Sequence, residues 1–140
     1  MTDTNNTKSV RVSGWKCREY VQKLQLFHNS GSNHRHPKGA TLWSEQRGDI
    51  YVVFSYGYHW PLYINWKGVW FKNKDKYGPT TSKHSSQVNP FVPAVPMEQS
   101  LMVMLMASQR PNPEMLVAAA QLKLLPEALI PEVTQARIAA

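Results

Sequence analysis

Residues 49–73, "DIYVVFSYGYHWPLYINWKGVWFKN", decide the fold. β-Branched and aromatic residues dominate them, which is strand chemistry. Ile50, Val52, Phe54 and Tyr56 fall on one face of an extended chain, and Tyr51, Val53 and Ser55 on the other. Both faces are largely apolar, which predicts a strand central in its sheet. "PLYINW" and "GVWFKN" follow, separated at Lys67-Gly68. Leu62, Ile64 and Trp66 share a face in the first, while Trp70 and Lys72 oppose Val69 and Phe71 in the second. Gly68 suits a tight hairpin because it accepts positive φ without a Cβ penalty. The prediction is an antiparallel meander of at least three strands. Gly57, inside the apolar run, marks a bulge or a close backbone approach that re-aims Tyr58, His59 and Trp60.

Toward the N-terminus the pattern is less regular. Residues 1–9 are polar and read as a flexible tail. In residues 10–27, Tyr20, Leu24 and Phe27 have helical spacing, whereas "KLQLF" alternates. The alternation predicts a strand near residues 20–27. "HNSGSNHRHPKGA", residues 28–40, reads as a loop.

Toward the C-terminus the composition changes after Asn89. "NPFVPAVP" carries three prolines in eight residues, which predicts an extended connector over 90–96. A helix is expected over 97–110, with Met97, Leu101, Met104 and Leu105 on one stripe. A second is expected over 111–125, with Asn112 as N-cap, Pro113 in the first turn and Pro126 beyond its end. Residues 127–140 read as a short helix or tail. The expected class is α+β: a basic β-rich domain over 10–89 built on a small antiparallel β-meander, then a C-terminal helical appendage over 97–140.

The 140 residues carry a net charge of +7, unevenly placed. Residues 1–89 hold 13 Lys and Arg against 5 Asp and Glu, and residues 90–140 hold 3 against 4. The excess on the β-rich part fits an anionic partner such as nucleic acid, or a solvated basic face. The single cysteine, Cys17, excludes an intramolecular disulfide and a cysteine-built zinc site, and reads as a buried structural thiol. The polar start "MTDTNNTKSV" lacks the apolar core of a secretory signal. No apolar run nears the roughly 20 residues of a membrane span. The expected setting is the reducing cytoplasm, with no membrane partner.

The densest concentration of polar chemistry is "DKYGPTTSKHSSQ", residues 75–87. Lys76, Lys83 and His84 supply positive or switchable charge, and Tyr77, Thr80, Thr81, Ser82, Ser85 and Ser86 supply hydroxyls. Phosphate oxygens are satisfied by this mixture together with backbone N–H groups in a turn. Gly78-Pro79 predicts a sharp turn, so the segment reads as an exposed loop or strand. It lacks the Walker pattern. Five histidines, His28, His34, His36, His59 and His84, do not close a metal-ligand set from local spacing. No metal or other cofactor is expected. The Met-rich run 97–110 is apolar on most sides, which fits packing on the sheet or self-association into a homo-oligomer.

Two motifs, Tyr56-Gly57-x-His59-Trp60-Pro61 and Asp75-Lys76-Tyr77-x-x-Thr80-Thr81-Ser82-Lys83-His84, resemble a small domain family of unknown function from phages, plasmids and related mobile elements. The resemblance spans about residues 20–90 and implies a mobile-element origin without an activity. It also implies that the two motifs act together. The expected function is a phage or mobile-element accessory protein that binds nucleic acid. Lys76, Lys83, Thr80, Thr81 and Ser82 would contact phosphates with Tyr77 and His84 beside them, and Tyr58 or Trp60 would stack on bases. Two alternatives stand beside it. One is an inhibitor that docks on a nucleic-acid-binding host or defence complex. The other is an enzyme of phosphodiester or nucleotide chemistry with His59 and His84 as acid and base. Asp49 and Asp75 are the only carboxylates near the predicted sheet's core region, which disfavours a magnesium nuclease.

Overall fold

A computed structural model describes residues 9–31, 33, 36–75 and 79–131, and for residues 79–82 only their place in a helix. Seven strands lie side by side in chain order: β1 (Val10–Arg11), β2 (Phe27–His28), β3 (Leu42–Arg47), β4 (Ile50–Ser55), β5 (Pro61–Trp66), β6 (Val69–Asn73) and β7 (Val95–Met97). The inner ladders from β2 to β6 are antiparallel, whereas the outer pairs β1–β2 and β6–β7 are parallel. Among the described residues four α-helices have defined bounds: α1 (Cys17–Gln22), α2 (Pro79–Val88), α3 (Gln99–Ser108) and α4 (Pro113–Gln121). A 3-10 turn over Gly14–Lys16 precedes α1. The molecule is a mixed α+β protein.

The predicted meander over 50–73 is present as β4, β5 and β6. All six residues of β4 are buried, as expected for a central strand covered on both faces. Lys67 and Gly68 close the β5–β6 hairpin, both with positive φ (50° and 87°), the requirement of a type I′ turn. A second two-residue hairpin, at Gly48-Asp49, joins β3 to β4 in register from Leu42↔Ser55 to Arg47↔Ile50. The bulge-like irregularity falls between Val53 and Phe54. Gly57 itself lies beyond the strand, where a Cβ would sit 2.6 Å from the His59 ring, so the close neighbour is a side chain and not the backbone expected.

Three expectations are corrected. The strand expected near 20–27 is short: residues 20–22 instead end α1, whose Cys17 and Val21 bury one turn apart, and 23–26 form no strand. Leu24 takes a left-handed φ of 55° just past the helix end, leaving only Phe27 and His28 as strand. The loop or strand expected around 75–87 is helical from Pro79. Proline is tolerated at the first helical position, and His84, Gln87 and Val88 form a buried stripe at helical spacing. The helix expected from Met97 begins at Gln99, because 95–97 pairs in parallel with β6. α4 matches its expectation at the start, where Asn112 Oδ1 accepts from Met115 N at 2.9 Å, but it ends at Gln121.

The pairings fix the layers. β1, β2, β6 and β7 run in one direction, and both parallel crossovers step the same way along the sheet. Such connections take one hand, so both crossover helices belong on one face. Accordingly Cys17 and Val21 of α1 and Val88 of α2 share a core with Tyr51, Val53, Leu62, Tyr63 and Trp70. The opposite face, Ile50, Val52, Phe54, Ile64 and Phe71, is covered by Met102 and Leu105 of α3 and Met115, Leu116 and Ala119 of α4. Burying side chains of this size contributes about 1.5–3 kcal/mol each. Among the described residues no helix is long and apolar enough to cross a membrane.

Candidate functional site

A cleft of about 320 Å³ opens where the two crossovers meet the end of the sheet, lined by Ser13, Gly14, Asn29, Ser30, Tyr56, Lys83, His84 and Gln87. Ser13 and Gly14 follow β1, Asn29 and Ser30 follow β2, and Tyr56 follows β4. These three strands point the same way, so the cleft lies at their carboxyl ends. α2 supplies the remaining wall.

Local hydrogen bonds set each wall. Asn29 Oδ1 accepts from the backbone N–H of Thr41 (2.8 Å) and Leu42 (2.9 Å), and its Nδ2 donates to Thr41 Oγ1 at 2.8 Å. Arg11 Nη2 donates to Ser30 Oγ at 2.5 Å, which brings a guanidinium beside the cleft. Tyr56 holds φ at 63°, a conformation that costs a non-glycine residue roughly 1–2 kcal/mol. Its backbone N–H donates to Thr41 O at 2.8 Å, and its carbonyl accepts from Asn33 Nδ2 at 3.1 Å. The Tyr56 ring, 47% exposed, stacks on His84 with centroids 5.5 Å apart and planes 23° apart.

His84 is the buried centre of the cleft, with Nδ1 2.8 Å from Ser55 Oγ. Burial and then the Lys83 ammonium hold its pKa below the ordinary histidine value, so the ring is neutral at pH 7. One ring nitrogen serves Ser55, leaving Nε2 as the ring's other polar atom. Lys83, next in the chain, is exposed at the same wall.

The residues predicted as a site are only partly brought together. Lys83 and His84 line the cleft, and Thr80, Thr81 and Ser82 lie on the first half of the same helix. Lys76 and Tyr77 lie outside the described residues. Tyr58 packs against Trp43 (5.1 Å) and Phe54 (5.5 Å), and so belongs to the α3–α4 side of the sheet. Trp60 packs against the other core. His59 is exposed, and its carbonyl accepts a 2.5 Å hydrogen bond from Gln99 Nε2 at the start of α3. Among the described residues no hydrogen bond or ring contact joins His59 to His84. His36 turns Nδ1 to the backbone N–H of Lys38 at 3.1 Å, and no group of three metal-ligating side chains occurs among the described residues. Cys17 is buried, which raises its thiol pKa to about 11.

Sequence reasoning missed Ser13, Gly14, Asn29, Ser30 and Gln87, and named Tyr56 only as part of its motif. They come from three separate loops and a helix that only the crossovers gather. The one local signal was the 84-87-88 helical stripe. Compared with protein-family models, curated proteins and solved structures, the chain shows no match.

Proposed function

We propose that the chain is an accessory protein of a phage or mobile element that works in the host cytoplasm and binds nucleic acid, its phosphates seated in the cleft. The observation behind this reading is the meeting of Lys83 and His84 with Ser13, Ser30 and Asn29 at the carboxyl ends of three co-directional strands. Ammonium, hydroxyl and amide groups together match phosphate oxygens. Arg11 and the basic excess of residues 1–89 add attraction at longer range. Tyr56, exposed and stacked on His84, replaces Tyr58 and Trp60 as the aromatic group beside the phosphates. Lys76, Thr80, Thr81 and Ser82 remain in the reading as further phosphate contacts, as the sequence suggests. α3 and α4 serve as an appendage that covers the far face of the sheet.

Titration of a single-stranded oligonucleotide at several salt concentrations tests this. Affinity falls steeply with salt, and Lys83→Ala reduces the logarithmic slope by about 0.7, the value of one phosphate contact on a single strand. Replacing Lys76 as well brings the reduction to about 1.4. Affinity that is absent at low salt, or indifferent to salt, overturns the reading.

A further inference from the structure

Beside the cleft, the residues that follow Gly14 build a second feature. Trp15 is 59% exposed and Phe91 is 68% exposed, although both are large aromatics. The Arg18 guanidinium carbon lies over both rings, 5.4 Å from the Trp15 centroid and 3.8 Å from that of Phe91. Arg18 is itself fixed, donating from Nε to Asn89 O at 2.7 Å and from Nη2 to Ser86 O at 2.8 Å. Gln22 Nε2 donates to Pro90 O at 3.0 Å, and Phe91 N donates to Asn89 Oδ1 at 2.9 Å. These bonds hold Phe91 at a left-handed φ of 55°. The fold thus tolerates backbone strain and keeps two rings in water, each with one face on a cation and most of its remaining surface free.

We infer that Trp15 and Phe91 form a base-stacking platform, and that the ligand of the cleft is a single-stranded nucleic acid whose bases lie on these rings while its phosphates run past Gly14 into the cleft. This rests on the phosphate reading of the cleft. A cation held against one face of a ring draws electron density from the other, which suits that face to an electron-rich nucleobase. Both rings are fixed before the ligand arrives, so little side-chain entropy is lost on stacking. Charge selects the same occupant: residues 4–44 contain seven Lys and Arg and a single acid, Glu19. Exposed Lys16, next to Trp15, and exposed Lys83, in the cleft, stand on either side of the path.

Fluorescence anisotropy with an oligo-dT strand and an abasic strand of equal length tests this. The wild type binds the oligo-dT strand at least about fivefold more tightly, since stacking on an aromatic side chain is worth roughly fivefold or more per base. Trp15→Ala and Phe91→Ala each remove part of that preference and leave the abasic affinity unchanged. Both sites are exposed, so the folded state survives either change, which circular dichroism verifies. Lys83→Ala weakens both strands alike. Equal affinity of the wild type for the two strands overturns the platform and leaves the phosphate cleft standing. Binding of neither strand overturns both and leaves the aromatic pair to a protein partner.

Discussion

Ser55 Oγ lies 2.8 Å from His84 Nδ1, and this contact ties the last residue of the central strand to the middle of α2. Both side chains are buried. Ser55→Ala removes the partner of a buried ring nitrogen. The expected cost is about 1–3 kcal/mol, the penalty for leaving such a group unsatisfied. Urea denaturation measures it, and a variant as stable as the wild type removes the contact from any account of how α2 is held.

Acid acts on the same contact. His84, His28 and His36 all have pKa values below the ordinary one, chiefly through burial. An unfolded histidine titrates near pH 6.5. Below that pH the unfolded chain binds protons that the folded chain refuses, so stability is complete above about pH 6.5 and falls as pH drops toward 5. His84→Gln flattens part of this dependence, and His28 and His36 retain the rest. Binding carries the opposite sign: a phosphate next to His84 favours the imidazolium, so affinity for an oligonucleotide rises over the same interval. Stability that is flat between pH 7 and 5 defeats the first expectation, and an unchanged affinity defeats the second.

The Met-rich helix separates two neighbours. Met102 is fully buried against the sheet, whereas Met104, which the expected stripe placed inward, is 54% exposed. Met102→Ala costs about 2–5 kcal/mol. Met104→Ala stays within about 0.5 kcal/mol of the wild type. Thermal or chemical denaturation compares them, and equal effects contradict the helix's orientation. Should copies associate through this helix, Met104→Asp yields a monomer with the sheet intact. A monomeric wild type in light scattering excludes that interface.

Gly31 supports the Asn29–Ser30 wall from behind. A Cβ there meets the carbonyl oxygen of Gly39 and the Thr41 side chain, each at 2.9 Å. Gly31→Ala therefore pushes backbone against backbone and lowers stability by about 1–3 kcal/mol, the range for overpacking. It also weakens oligonucleotide binding if the cleft is the phosphate site. Gly68→Ala makes a useful contrast, since a Cβ there has nothing within 4 Å and its cost is backbone strain at positive φ alone. A Gly31 variant that matches the wild type in both assays rules out this support.

Catalysis separates the remaining alternative. If His84 is an acid or base, His84→Ala abolishes turnover of a nucleotide or phosphodiester substrate and leaves its binding nearly intact. A parallel loss with His59→Ala is required for a two-histidine mechanism. His84→Ala that weakens binding without any turnover to lose points to a binding role alone.

The sequence by itself determined the sheet's centre. Over 50–73 the signals are local: alternation at period two, apolar residues on both faces and glycine at a turn that demands positive φ. The Asn112-Pro113 start of α4 was legible for the same reason, since a cap acts within one turn. What the tertiary structure decided is what depends on distant pairing. The segment 95–97 is too short to show a period, and it is a strand only because β6 offers it a parallel edge. Residues 79–88 are polar enough to pass for a loop, yet they are helical because crossing from β6 to β7 in one sheet needs a helix over its face. The cleft is the furthest removed from local signals. Ser13, Asn29, Tyr56 and His84 lie in four separate segments, and they meet because both crossovers take the same hand and lie on the same face.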